Sequence, residues 1–149
     1  MWKQLIAAIA FVIPTTVLAD EIVIHGVTWH GAQKYDAVCS SGPCDRSYNA
    51  INPGITYVYS SGLMIGAYYN SYFRTSVYVA YRHMFNDNVG VFGGWASGYS
   101  ARGSGGFVGG LVARTNDLGG GWRVGVAGQP IQSDQLDAVV SVFISKDLK

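Results

Sequence analysis

The alternation of bulky and small residues along short runs constrains this chain most. Residues 76–84 set Val77, Val79 and Tyr81 against Tyr78, Ala80 and Arg82. Residues 89–99 set Val89, Val91, Trp95 and Tyr99 against Gly90, Gly94, Ala96 and Gly98. Residues 120–127 repeat the pattern, with Trp122, Val124 and Val126 opposite Arg123, Gly125 and Ala127. A period of two marks β-strands, whose successive side chains leave opposite faces. Here one face is large and apolar, while the other is small or charged. That combination suits a narrow barrel with lipid outside and little room inside. A water-soluble lipocalin-like barrel or sandwich needs the reverse, apolar inside and polar outside. A charge facing lipid is costly, so Arg82 and Arg123 are expected to point inward.

Eight strand-like runs follow one another: Ile22–Gly31, Tyr48–Tyr59, Leu63–Ser71, Ser76–Met84, Val89–Tyr99, Gly105–Arg114, Gly120–Ala127 and Leu136–Lys146. The second run contains Asn52-Pro53-Gly54 near its start; Ser60-Ser61-Gly62, Asn86-Asp87-Asn88 and Thr115–Leu118 supply turns. Links after the second, fourth and sixth runs read as short, and those after the first, fifth and seventh as longer, including a loop at Gly128–Gln135. Short turns at one end and longer loops at the other are the signature of an antiparallel up-and-down barrel. The expected fold is therefore all-β, an eight-stranded antiparallel up-and-down β-barrel of outer-membrane type.

The N-terminus follows the export pattern. Lys3 carries the positive charge, Leu5–Leu18 is apolar, and Val17-Leu18-Ala19 offers a cleavage site. A signal peptide over residues 1–19 and a single barrel domain over 20–149 are expected. An uncleaved anchor is disfavoured by Pro14 and the short apolar run. Of the ten basic residues Lys3 is lost, which leaves nine against nine acidic ones. A neutral chain gives no footprint for nucleic acid. Charged residues make up only 13 %, against 20 glycines and 10 tyrosines, again pointing to a surface that need not face water.

Cys39 and Cys44 lie in CSSGPC. Export places them in an oxidising compartment, so a disulfide closing this small loop is expected. The spacing resembles neither a zinc site nor a redox CxxC. Three scattered histidines with few carboxylates suggest no metal, and no cofactor is expected.

Strand parity gathers polar residues at one end. His30 ends the first run; Asn70 and Ser71 end the third; Tyr48, Asn49 and Arg74 lie where the second and fourth begin. A histidine beside a serine activates the hydroxyl for acyl transfer when a third group orients the imidazole. Asn70 and Asp36 are candidates for that group, and Arg74 suits a phosphate or carboxylate. A simple turn at Asn70-Ser71 is the plainer alternative. His25 falls on the opposite face from His30 by parity, and His83 lies near the other end.

Thr28-Trp29-His30, then Tyr35-Asp36, then Tyr48-Asn49, resemble the TWH…YD…YN sequence of the outer-membrane lipid A palmitoyltransferases, the PagP family. The segment GAYYNSYF, Gly66–Phe73, is similar to that family's second motif, which carries an adjacent aspartate and serine. The resemblance covers about Val27–Arg82. It implies an eight-stranded barrel whose apolar interior holds one acyl chain, with His30 matching the catalytic histidine and Ser71 the serine. Asn70 stands where the family has its aspartate. The family's amphipathic N-terminal helix has no counterpart. The resemblance implies an acyltransferase moving a palmitoyl-like chain from a glycerophospholipid donor to lipid A. It would act as a monomer, with catalytic His30, Ser71 and Asn70 and with substrate contacts at Tyr48, Asn49 and Arg74. Room for the chain is expected from Gly90, Gly94, Gly98, Gly106 and Gly110. A non-enzymatic lipid-binding or surface barrel and a lipid A deacylase are the other readings.

Overall fold

The computed structural model describes residues 20–31, 34–98, 105–132 and 136–148, without the side chains of 34–38, 131, 132, 136 and 137. The expected signal segment, residues 1–19, lies outside them. Ten strands form: β1 (Glu21–His30), β2 (Lys34–Cys39), β3 (Gly42–Ser47), β4 (Ile51–Val58), β5 (Leu63–Tyr69), β6 (Thr75–Met84), β7 (Val89–Ala96), β8 (Gly106–Arg114), β9 (Trp122–Gln132) and β10 (Leu136–Asp147). Eight of them close an antiparallel barrel in the order β1-β10-β9-β8-β7-β6-β5-β4. The ring shuts where β1 pairs with β10 and β4 together, from Glu21↔Asp147 and Glu21↔Val58 onward.

The alternation resolves as expected. Val77, Val79, Tyr81, Trp95, Trp122 and Val124 are exposed on the outer face. Tyr78 and Ala80 are buried inside, and Val23, Val58, Met64, Val108, Val112 and Phe143 complete the interior cluster. Arg82 points inward and, with Arg114, binds the buried Glu21; Arg114 Nη1 lies 3.0 Å from Glu21 Oε2. Arg123 pairs with Asp147 at 3.3 Å. One carboxylate held by two guanidiniums keeps these charges off the apolar outer face.

The glycines facing large inward side chains do not leave open room. Tyr78 stands opposite Gly66 and Phe143 opposite Gly125 in the ladders. Their rings lie over those glycines, and a Cβ on Gly66 would meet Tyr78 at 2.6 Å. Gly94 and Gly110 abut neighbouring strand backbone, and Gly90 faces Met84. The expectation that Gly90, Gly94 and Gly110 create acyl space is therefore corrected. In a small barrel these positions let large inward residues from the next strand lie flat across them.

Two links differ from expectation. Residues 34–47, read as loop, form the β2–β3 hairpin, a separate two-stranded sheet. Gly42 takes a left-handed φ of 111° at its tip, and the expected Cys39–Cys44 disulfide closes it. Residues 128–132, part of the loop expected over Gly128–Gln135, continue β9. Pro130 is tolerated because β9 pairs with β8 only as far as Gly128, so its missing N–H falls beyond that ladder.

Candidate active site

A β-bulge decides which side chains of β1 enter the barrel. The register of β1 shifts between His25 and Val27 against both β10 and β4. Before the shift, Glu21 and Val23 are buried inside; after it, Thr28 and His30 are, while Val27 and Trp29 are exposed outside. The extra residue, Gly26, inverts the phase. His25 and His30 therefore both face inward, which corrects the expectation from parity. Gly26 within a strand pattern was the available signal.

At the end of β1, His30 Nε2 lies 2.7 Å from Ser71 Oγ, and both residues are buried. The ring of Tyr48 stacks on the imidazole, centroids 4.1 Å apart and planes 5° from parallel. Tyr72 meets Tyr48 edge-on at 5.7 Å. This aromatic wall limits how far the imidazole can turn, and it draws Tyr48, His30 and Tyr72 together from three parts of the chain.

Asn70 organises the turn that presents Ser71. It is fully buried. Its Nδ2 donates to Ser76 Oγ (2.8 Å) and to the Gly98 carbonyl (2.9 Å), and its Oδ1 accepts from the N–H groups of Tyr72 (2.9 Å) and Arg74 (3.0 Å). The main chain closes the same turn through Asn70 N–H to the Arg74 carbonyl at 2.7 Å. Phe73 sits at its tip with φ 59°, a left-handed value uncommon outside glycine. Both donors and the acceptor of the amide are thus committed to the turn, which makes Asn70 a positioning residue for Ser71.

Asn49 holds the other side. Its main-chain N–H donates to the Ser71 carbonyl at 2.9 Å, and its Oδ1 accepts from Ile51 N–H at 3.2 Å as β4 begins. Asn52 Nδ2 donates to the Tyr69 carbonyl at 2.9 Å, tying β4 to β5 beside Pro53, which has no N–H to give. Arg74 is exposed on this rim. Asp36 lies in β2, and its side chain is outside the described residues. All six of the proposed site residues thus fall at one end of the barrel, where the side chains of His30 and Ser71 meet.

Below Ser71 an interior cavity of about 100 Å³ runs down the barrel, past Thr28, Asn52, His25 and Tyr78 to Arg82. On its wall Thr28 Oγ1 and Ser141 Oγ, on the paired strands β1 and β10, bond each other at 3.2 Å. Deeper, His25 Nε2 lies 2.7 Å from Thr56 Oγ1 and 3.4 Å from Tyr78 Oη, while Thr56 and Tyr78 bond each other. The sequence offered no indication of the Thr56 and Tyr78 partners. Among the described residues no group of three or more His, Cys, Asp or Glu side chains comes together as a metal site would need.

No protein-family model matches this chain, and no curated protein or solved structure does so either.

Proposed function

We propose that the protein is an outer-membrane acyltransferase that moves an acyl chain from a glycerophospholipid to lipid A, acting as a monomer. The observation that carries this reading is the buried His30 Nε2–Ser71 Oγ contact of 2.7 Å at the mouth of the interior cavity. An outer face studded with Trp29, Val77, Val79, Trp95 and Phe107 supports placement in lipid, as does the export-type N-terminus. The resemblance to the lipid A palmitoyltransferases supports the same histidine and serine.

In this mechanism Ser71 Oγ attacks the ester carbonyl carbon of the donor as His30 Nε2 takes the hydroxyl proton. The tetrahedral adduct collapses, its C–O bond to glycerol breaks, and His30 gives the proton to the departing glycerol oxygen. The acyl group is then on Ser71. A lipid A hydroxyl next gives its proton to His30 and attacks that ester; the Ser71 oxygen leaves and recovers the proton. Tyr48 holds the imidazole face, Asn70 and Asn49 hold the main chain of Ser71, and Arg74 meets the charged headgroup at the rim. Water replacing the acceptor gives a free fatty acid, the deacylase outcome.

One observation favours a second reading. Tyr78, Phe92 and Phe143 fill much of the interior, and the Asn70 amide is committed to its turn. A non-enzymatic barrel that binds lipid or shields the surface fits these features.

Mass spectrometry of lipid A from cells expressing the wild type or His30→Ala separates the readings. Acyl transfer predicts an added acyl mass with the wild type that His30→Ala abolishes. Folded wild type with unchanged lipid A sinks the transferase, and fatty acid release without acylated acceptor marks the deacylase.

A further inference from the structure

We propose that the lower part of the cavity recognises a hydroxyl group partway along the acyl chain, and that His25 reads it. The proposal rests on the acyl-cavity reading above and narrows its substrate class to hydroxylated chains. His25 is in phase with the inward Glu21 and Val23, and the bulge at Gly26 lets His30 face the same lumen. His25 Nε2 is held by Thr56 Oγ1 at 2.7 Å, with Tyr78 Oη at 3.4 Å, and Thr56 is itself fully buried. The rings of Tyr68 and Tyr78 stand 6.1 and 6.4 Å from the imidazole. The ring is therefore fixed in orientation by its neighbours.

The remaining nitrogen, Nδ1, makes no hydrogen bond among the described residues, and the His25 ring lines the cavity. An unsubstituted hydrocarbon entering here would strip water from Nδ1 and give nothing back, which is unfavourable. A hydroxyl both donates and accepts, so it satisfies Nδ1 whichever nitrogen carries the proton. A ketone or ester oxygen accepts only and serves one tautomer. The Thr28 and Ser141 hydroxyls nearer the mouth already bond each other at 3.2 Å, so His25 offers the stronger demand. His25 and His30 are five residues apart on β1 with one residue in the bulge. At about 3.3 Å per residue the reading point lies on the order of 13–16 Å along β1 from the His30–Ser71 pair, well down the chain from the ester carbon.

Equilibrium binding of free fatty acids to the folded full chain in lipid nanodiscs tests this, read as displacement of a fluorescent fatty acid. Saturated acids of one length are compared, unsubstituted or with a single hydroxyl at successive positions. A hydroxyl at one position far from the carboxyl end should tighten binding by about three- to tenfold, the worth of one neutral hydrogen bond. His25→Phe should remove that gain, so that the hydroxylated and unsubstituted acids bind alike. Thr56→Val, which releases the imidazole from its anchor, should reduce the gain too, and it serves if His25→Phe does not fold. Equal affinities across the series in the wild type overturn the proposal but leave the acyl cavity standing, and so does a preference that survives both substitutions. Failure of every acid to displace the probe overturns both.

Discussion

His25 and His30 face the same lumen although five residues separate them on one strand. Strict alternation would send one of them outward. The register shift around Gly26 adds a residue to β1 that β10 does not match, while Asn52 and Pro53 of β4 stand against Gly26, and the inward set of β1 passes from odd to even positions. That one residue lets the rim pair and the deeper His25–Thr56 contact share one lumen.

Deleting Gly26 should therefore remove the bulge and keep the inward set. His25, Val27, Thr28, Trp29 and His30 would then alternate strictly, with Thr28 and His30 still inside and Val27 and Trp29 still outside. The shortened chain should still reach the folded, heat-modifiable species seen on unboiled gels. Gly26→Ala should fold like the wild type, because an added Cβ meets nothing within 4 Å. A deletion that fails to fold would contradict this account of the bulge.

Asn70→Asp should destabilise the barrel although it restores the acid found in the resembling family. The Nδ2 donor to Ser76 Oγ and the Gly98 carbonyl would be lost, and a carboxylate oxygen would face that carbonyl instead. A buried group left unsatisfied in this way costs about 1–3 kcal/mol. Urea unfolding at neutral pH should show the loss, with recovery in acid as the introduced carboxyl regains a proton. An unchanged midpoint would mean that the turn does not need the amide.

Gly125→Ala should be felt through Phe143. The added methyl would stand where the Phe143 ring lies, and overpacking of that kind costs about 1–3 kcal/mol. Phe143→Leu in the same chain should recover part of the loss, because the two sites are in contact and their effects are coupled. Additive losses in the double variant would show that the ring has another place to go.

Acid should act on the β8–β9 turn through Asp117. Its Oδ1 accepts the N–H groups of Gly119 at 2.8 Å and Gly121 at 2.9 Å, which hold its carboxyl below the ordinary value of 3.8. A folded value below the unfolded one means the bonds support the turn fully above 3.8, and that support is lost as pH falls through the folded value. The amide signals of Gly119 and Gly121 should titrate with a midpoint below 3.8 and lose that step in Asp117→Asn. A midpoint at or above 3.8 would refute the assignment.

Much of this was legible in the chain itself. Val77, Val79 and Tyr81 against Tyr78, Ala80 and Arg82 announced the two faces of β6, and the burial of Tyr78 and Ala80 follows them. The site was half legible. Parity brought His30 and Ser71 to one end, but nothing local indicated that Asn70 would spend its amide on Ser76, Gly98, Tyr72 and Arg74. The loop expected over Gly128–Gln135 is shorter because β9 runs past the end of its pairing with β8 and stays paired with β10 as far as Gln132.

The eight barrel strands, the apolar outer face and the disulfide were set by the sequence alone, because alternation and turn chemistry act between residues a few positions apart. The phase of β1, the filling of Gly66 and Gly125 by rings from adjacent strands, and the partners of His25, His30 and Asn70 were decided only in the closed barrel. Each depends on register between distant segments, and a shift of one residue there exchanges inside for outside.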